Sequence, residues 1–355
     1  WLLERVDNPS KAQIDEVLSG IFIRDTGYEH YYLAVKLAVE RMQTGSYKSE
    51  ISPSFREELT YVGKPKSKVD GPQLVAGEPS FVEDRVLPGY HAMVLLRSPY
   101  AHAYITKIDT SEALKMDGVV SIITHENCPD VFYMQAGQGN PEPSPHDRRL
   151  FNRKVRHVGD RVAAIVAETE EQAIAARAAI KVEYEVLKPV LTVEEAMEEG
   201  APLIHNGIVE YRSGAPKDLD EYNKKADVRD GKVIYQFPLH GDIRRNIASA
   251  AHGHIGDVEK GFKEADAVIE RTYQTSQIQC TPLEPHICYA KIDGGRLVLH
   301  ASTQVPYHVR RIVAWVCQIP ENKIRVIKER VGGGYGSKQD ILVEDLVGYA
   351  TWITG

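Results

Sequence analysis

The string Val331-Gly332-Gly333-Gly334-Tyr335-Gly336-Ser337-Lys338-Gln339 places four glycines within five residues. Without Cβ atoms the backbone of such a loop can approach a ligand closely, and its amides can donate to an oxygen-rich group. It is not a Walker loop, because no glycine precedes Lys338 and no Ser or Thr follows it. Nor is it a dinucleotide fingerprint, which needs a third glycine at a different spacing. Alone, a glycine-rich turn is more often structural than functional. Two strings upstream give it company: Ser302-Thr303-Gln304 and Thr281-Pro282-Leu283-Glu284-Pro285-His286. Gln304 offers a neutral amide that both donates and accepts. Each residue also has a plain explanation: Gln304 as a strand cap, Glu284 paired with an arginine, His286 as a satisfied core histidine.

The elements that must carry these strings can be read from periodicity. Ile287 to Ile292 and Leu297 to Ser302 read as strands joined by a turn at Asp293-Gly294-Gly295, where positive φ is needed. Pro306 to Cys317 reads as a helix, and Lys323 to Ile327 as the strand that feeds the glycine loop. A further strand is expected over Ala267 to Gln279. Upstream, Ala92 to Leu96, Val119 to Ile123, Arg161 to Val166 and Ile180 to Val186 read as strands, with a helix over Glu170 to Ala179 rich in Ala, Glu and Gln. Pro202 to about Asp230 reads as a loop region. At the start, Ser10 is a plausible N-cap for a helix with Ile14, Val17 and Leu18 on one face, and a second helix follows Gly27. Two helices of this size cannot make a stable core alone.

In this order and spacing, the three strings resemble the start of the molybdopterin-binding region of the xanthine oxidase family of molybdenum hydroxylases. The resemblance extends upstream. Ala76-Gly77-Glu78, Leu87-Pro88-Gly89-Tyr90, Arg97-Ser98-Pro99-Tyr100-Ala101-His102-Ala103, Val155-Arg156-His157-Val158-Gly159-Asp160 and Val182-Glu183-Tyr184-Glu185 fall in the order of that family's α/β hammerhead domain. It implies an α+β fold: a helical remnant over 1–46, a linker over 47–70, the hammerhead domain over 71–200 and the first part of the molybdopterin-binding domain over 230–355.

The same resemblance implies a molybdenum-molybdopterin cofactor, with Gln304 hydrogen-bonding a molybdenum ligand and Gly333, Gly334, Tyr335 and Gly336 lining the cofactor. Tyr335 stands where many relatives have Phe, which keeps the aromatic wall and adds a hydroxyl that needs a partner. Gln339 would face the substrate. Purine-oxidising relatives often carry Glu there, and Gln keeps the hydrogen-bonding shape but cannot ionise. The implied reaction is hydroxylation of an N-heterocycle, most simply a purine such as xanthine or hypoxanthine, with aldehyde- and nicotinate-type substrates as alternatives. A noncatalytic scaffold or assembly subunit is the reading from another class.

Two departures from the family pattern matter. Ser19-Gly20-Ile21-Phe22-Ile23-Arg24-Asp25-Thr26-Gly27-Tyr28 resembles the end of the family's [2Fe-2S] domain but puts Ile23 and Asp25 where two cysteine ligands belong, so no such cluster is expected in this chain. The catalytic base that relatives carry is expected beyond position 355, and neither Glu284 nor Glu344 is assigned that role. The resemblance therefore implies partners: a C-terminal half or second molybdopterin-binding subunit, with iron-sulfur and FAD-binding redox subunits. Because Trp1 is not Met, further sequence is expected upstream.

Composition excludes other classes. The net charge is −7, from 43 basic and 50 acidic residues in mixed order, with no like-charged block to track a phosphate backbone or an anionic membrane. Cys128, Cys280, Cys288 and Cys317 make no Cys-x-x-Cys pair and read as reduced thiols of a cytoplasmic protein. No apolar stretch approaches the roughly 20 residues that span a bilayer.

Overall fold

The computed structural model describes residues 2–19, 29–45, 61, 64, 66–78, 81–85, 88–136, 139 and 141–355. Ile23 and Asp25, and most of the expected linker, lie outside them. The chain divides into two units, Trp1–Glu78 and Pro79–Gly355.

The first unit holds α1 (Leu2–Arg5), α2 (Lys11–Leu18), α3 (Glu29–Thr44) and α4 (Gly71–Val75). Ser10 caps α2 in a full capping box: its hydroxyl accepts from the Gln13 amide while the Gln13 side chain accepts from the Ser10 amide. That arrangement satisfies two of the helix's free N-terminal donors. Among the described residues of this unit, Ile14 and Val39 are the buried hydrophobics. This is the small core expected of a short helical pair.

The second unit begins with two interleaved three-stranded sheets. β1 (Ala92–Arg97), β2 (Ala103–Asp109), β3 (Val119–Thr124), β4 (Lys154–Val155), β5 (Arg161–Ala167) and β6 (Lys181–Val186) arrange as β1-β5-β3 and β4-β2-β6, with antiparallel pairing throughout. α5 (Glu170–Ala179) follows β5, its N-cap Thr169 in a second capping box. Every residue of β5 is buried, which explains its unbroken apolar run: both faces are covered. Alternation sends Ala163, Ile165 and Ala167 into a core with Ala173 and Ala176 of α5. Ala164 and Val166 point the other way, into the core built by the C-terminal elements.

The region expected as a loop carries structure of its own. α6 (Val193–Met197) leads to β7 (Ile208–Tyr211), which pairs in parallel with β8 (Lys232–Tyr235) across α7 (Leu219–Asn223). Asp230, just before β8, is buried and binds Lys154 at 3.5 Å and Arg156, anchoring this region to β4 and the turn after it. The short apolar runs Ile208-Val209 and Val233-Ile234 sit among polar residues, so neither stands out by period.

After α8 (Val258–Glu264), the expected strand over 267–279 is not formed. Val268, Ile269, Tyr273 and Ile278 are exposed. β-branched alternation makes a strand only where a neighbour completes the ladder, and no described residue supplies one here. β9 (Cys288–Asp293) and β10 (Arg296–Ala301) form the expected hairpin, with Gly294 and Gly295 at φ of 56° and 72°. α9 (Pro306–Cys317) crosses over to β11 (Ile324–Lys328), parallel to β10, and α10 (Glu344–Thr354) packs on α9. α9 turns Val309, Ile312, Val313 and Val316 fully inward against the sheet and α10.

Candidate active site

Strand direction explains how residues far apart in the chain meet. β10 and β11 are parallel, with Ala301 beside Lys328, so both deliver their following residues to the same edge of the sheet. β9 runs antiparallel to β10, with Cys288 beside Ala301, so the residues that enter β9 lie at that edge too. Residues 281–286, 302–304 and 331–339 thus converge beyond the carboxyl ends of the parallel pair, the usual place for ligands on such sheets.

At that edge the glycine loop folds against Gln304. The Gln304 side-chain oxygen accepts from the Gly336 amide at 3.3 Å, and its backbone amide donates to the Lys338 carbonyl at 2.8 Å. A Cβ on residue 334 would lie 2.4 Å from that Gln304 oxygen, so glycine is required for the close approach. Gly333 and Gly336 have φ of 96° and 92°, and Tyr335 between them sits at 52°, a left-handed conformation uncommon for an aromatic residue. Within the turn, the Ser337 amide and hydroxyl both donate to the Gly334 carbonyl. Gln304, Tyr335 and Gly336 remain exposed, while Gln339 is half-buried with its amide donating to the Gly336 carbonyl. The Tyr335 ring is 76 % exposed, so water can serve the hydroxyl.

Behind the loop lies a buried polar knot. Glu284 pairs with Lys338 at 2.8 Å, not with an arginine, and the same carboxylate oxygen accepts from the Ser302 hydroxyl and, at 2.8 Å, from the Gly332 amide. Burial pushes the Glu284 carboxyl up, but Lys338, Ser302 and Gly332 outweigh it and hold the group below its ordinary value. Its other oxygen is buried with no partner among the described residues. His286 is half-buried and donates from Nε2 to the Ser337 carbonyl at 3.0 Å, the satisfied histidine of the plain reading. Glu344 is buried and spends its carboxylate on the Leu342 and Val343 amides at 3.1 Å each, in the turn that leads into α10.

Lys338 and Ser302 went unassigned in the sequence reading. A lysine inside a glycine-rich loop normally reads as solvated, and only its burial beside Glu284 reveals its role. Among the described residues no group of three or more His, Cys, Asp or Glu side chains comes together as a metal site. The exposed side-chain amide of Gln304 and the close cradle at Gly334 fit an oxygen-rich cofactor that brings its own metal ligands.

Residues 76–188 match the model described as aldehyde oxidase and xanthine dehydrogenase, a/b hammerhead domain, and residues 239–355 match the molybdopterin cofactor-binding domain. A protein of Escherichia coli O157:H7 named probable hypoxanthine oxidase XdhD is 51% identical over 354 residues, which are 100% of this chain and 37% of that protein. The xanthine dehydrogenase molybdenum-binding subunit of the same organism is 32% identical over 80% of this chain and 34% of its own length. Among solved structures, a Cu,Mo-CO dehydrogenase superposes with a TM-score of 0.63 at 27% identity, covering 82% of this chain and 34% of that one. The aldehyde oxidoreductase from Desulfovibrio gigas gives 0.59 at 25% identity, over 100% of this chain and 36% of that one. The chain belongs to the xanthine oxidase family of molybdenum hydroxylases. It spans 37% and 34% of the length of the two curated relatives named above. Among the described residues no helix is long and apolar enough to cross a membrane.

Proposed function

We propose that this chain forms part of a molybdenum-dependent enzyme that hydroxylates an N-heterocycle, with a purine such as hypoxanthine or xanthine as the substrate. The observation that carries the reading is the packing of Gln304 on Gly334 and Gly336, which sets an exposed amide side chain against the glycine loop at one sheet edge. A molybdopterin cofactor bound there would supply the oxidative chemistry. Gln304 would orient it by hydrogen bonding, and Gly333, Gly334, Tyr335 and Gly336 would form its wall.

Gln339 would meet the substrate ring with a neutral amide, which recognises shape and hydrogen-bond polarity without selecting a protonation state. A purine substrate is supported by the relative named as a probable hypoxanthine oxidase, 51% identical across the chain. The scaffold reading gains nothing from the comparisons, whose relatives carry the names of oxidases and dehydrogenases. The base, the rest of the cofactor pocket and the electron acceptors would come from other parts of the enzyme, in a larger chain or in partner subunits.

The test is to purify the full-length protein with whatever copurifies, assay molybdenum, and follow turnover of hypoxanthine, xanthine and nicotinate with an artificial electron acceptor. Molybdenum near one per chain with purine turnover is expected. Molybdenum with turnover of nicotinate alone would reassign the substrate, and its absence from the intact assembly would sink the enzyme reading.

A further inference from the structure

We propose that Glu284 and Lys338 are positioning residues: a buried ion pair that holds the glycine loop in the shape that presents Gln304 and the loop amides to the cofactor. The inference rests on the reading above that this loop faces a molybdopterin.

Both side chains are almost fully buried, Lys338 at 1% and Glu284 at 7% exposure. Each is tied to the loop at a different end. Glu284 grips the start, exchanging two hydrogen bonds with Gly332: its carboxylate accepts from the Gly332 amide at 2.8 Å and its own amide donates to the Gly332 carbonyl at 3.2 Å. Lys338 closes the end, where its carbonyl accepts the Gln304 amide at 2.8 Å and its ammonium reaches Glu284 and, at 2.9 Å, the Ser302 hydroxyl. The loop is therefore stapled across its base by one ionic contact. Ser302 and Gln304, on the strand end beneath, are bound into the same knot.

Steric room is absent as well: a Cβ on residue 332 would lie 2.5 Å from the Glu284 Cβ. Side chains that touch a ligand work only when the groups behind them are locked. A neutral pair of similar size would satisfy packing at least as well as an ion pair, because buried charges repay their desolvation poorly. What a neutral pair lacks is the set of strong, directed hydrogen bonds that fix the positions of Gly332 and Ser302 together.

The experiment uses the full-length enzyme with its copurifying subunits and three variants: Glu284→Gln, Lys338→Met and the double change. Melting temperature, molybdenum per chain, kcat and KM are measured for each. Lys338→Met alone leaves a buried unpaired carboxylate and is expected to melt low. The double variant is expected to regain most of the melting temperature while kcat or molybdenum content stays down by about tenfold, with KM within about twofold of the parent, the pattern of a mispositioned but intact site.

Glu284→Gln keeps the shape and an amide oxygen that can accept from Lys338 but leaves that buried ammonium without its carboxylate; it is expected to melt below the parent and to show the same kinetic loss, and it decides the matter should the Lys338 variants not fold. Recovery of both stability and turnover in the double variant would make the pair merely structural and overturn the proposal. So would a Glu284→Gln enzyme with parental kcat and molybdenum. A parent enzyme that carries no molybdenum would instead bring down the cofactor reading, and this proposal with it.

Discussion

Arg161 of β5 and Asp345 of α10 form a two-armed ion pair, at 2.8 and 3.2 Å, in which the carboxylate is wholly buried. Tyr133 donates to the same carboxylate at 2.6 Å, and Arg161 also donates to the Leu342 carbonyl. The pair joins the central strand of the hammerhead sheet to the helix that follows the glycine loop. With Ala164 and Val166 of β5 sharing a core with Leu299, Val313 and Leu346, it ties the two family segments into one compact unit.

Replacing Asp345 with Asn should therefore be costly, because it strands a buried guanidinium. The expected loss is about 3–5 kcal/mol of unfolding free energy, with Tyr133→Phe costing about 1.5–3 kcal/mol. Denaturant titration of the chain, followed by far-UV circular dichroism, measures both. A loss below about 1 kcal/mol for Asp345→Asn would show that the pair contributes little.

The same carboxylate predicts an acid limb. Burial alone would raise its pKa, but Arg161 and Arg148 with the hydrogen bonds from Arg161 and Tyr133 bring it down from 3.8 to about 2. With the folded value below the unfolded one, protonation favours the unfolded chain. The contribution is complete above about pH 4 and disappears as pH falls toward 2. Stability measured through this window should drop more steeply for the parent than for Asp345→Asn; parallel curves would refute the assignment.

Gly334→Ala tests the cradle at the site. The new methyl would meet the Gln304 oxygen at 2.4 Å, so the amide must swing away from Gly336. In the full-length enzyme, molybdenum content or kcat should fall by roughly tenfold or more, since small misplacements of positioning groups cost about that much. An alanine enzyme with parental molybdenum and turnover would remove Gln304 from the cofactor site.

Gln339→Glu should convert a neutral contact into an ionisable one. The variant is expected to show a new acidic limb in the pH profile of kcat/KM for purine turnover, absent from the parent, because kcat/KM reports titrating groups of the free enzyme. Superimposable profiles would place Gln339 away from the substrate.

The segment over 267–279 carries large apolar residues without a partner. Ile269, Tyr273 and Ile278 are each at least 79 % exposed, so serine at any of them should change the stability of this chain by less than about 0.5 kcal/mol. A loss of about 2 kcal/mol or more at any one, read by thermal or denaturant melts, would show that the segment is packed after all.

Local signals of elements were legible wherever a period and a cap agreed. The helix over Glu170–Ala179, with Thr169 and Gln172 forming its capping box, and the helix over Pro306–Cys317 follow from propensity and apolar spacing. So does the hairpin at Gly294-Gly295, where two consecutive positive φ angles demand glycine. β2 and the β7–β8 pair escaped notice, since their burial comes from pairing with strands distant in the chain rather than from an apolar alternation. The 267–279 pattern misled for the converse reason, a strand-like run with no strand beside it.

By itself the sequence determined the glycine loop, its companions Gln304, Glu284 and Gln339, and through their order the family; these are properties of residue type and spacing. Only the tertiary structure decided that Lys338 is buried and paired with Glu284, that Asp345 belongs to Arg161, and that Gly334 exists to admit Gln304. Such partners lie 54, 184 and about 30 residues apart. Contacts over those separations depend on parallel strands ending at one sheet edge and on a shared core, and neither is written in any local period.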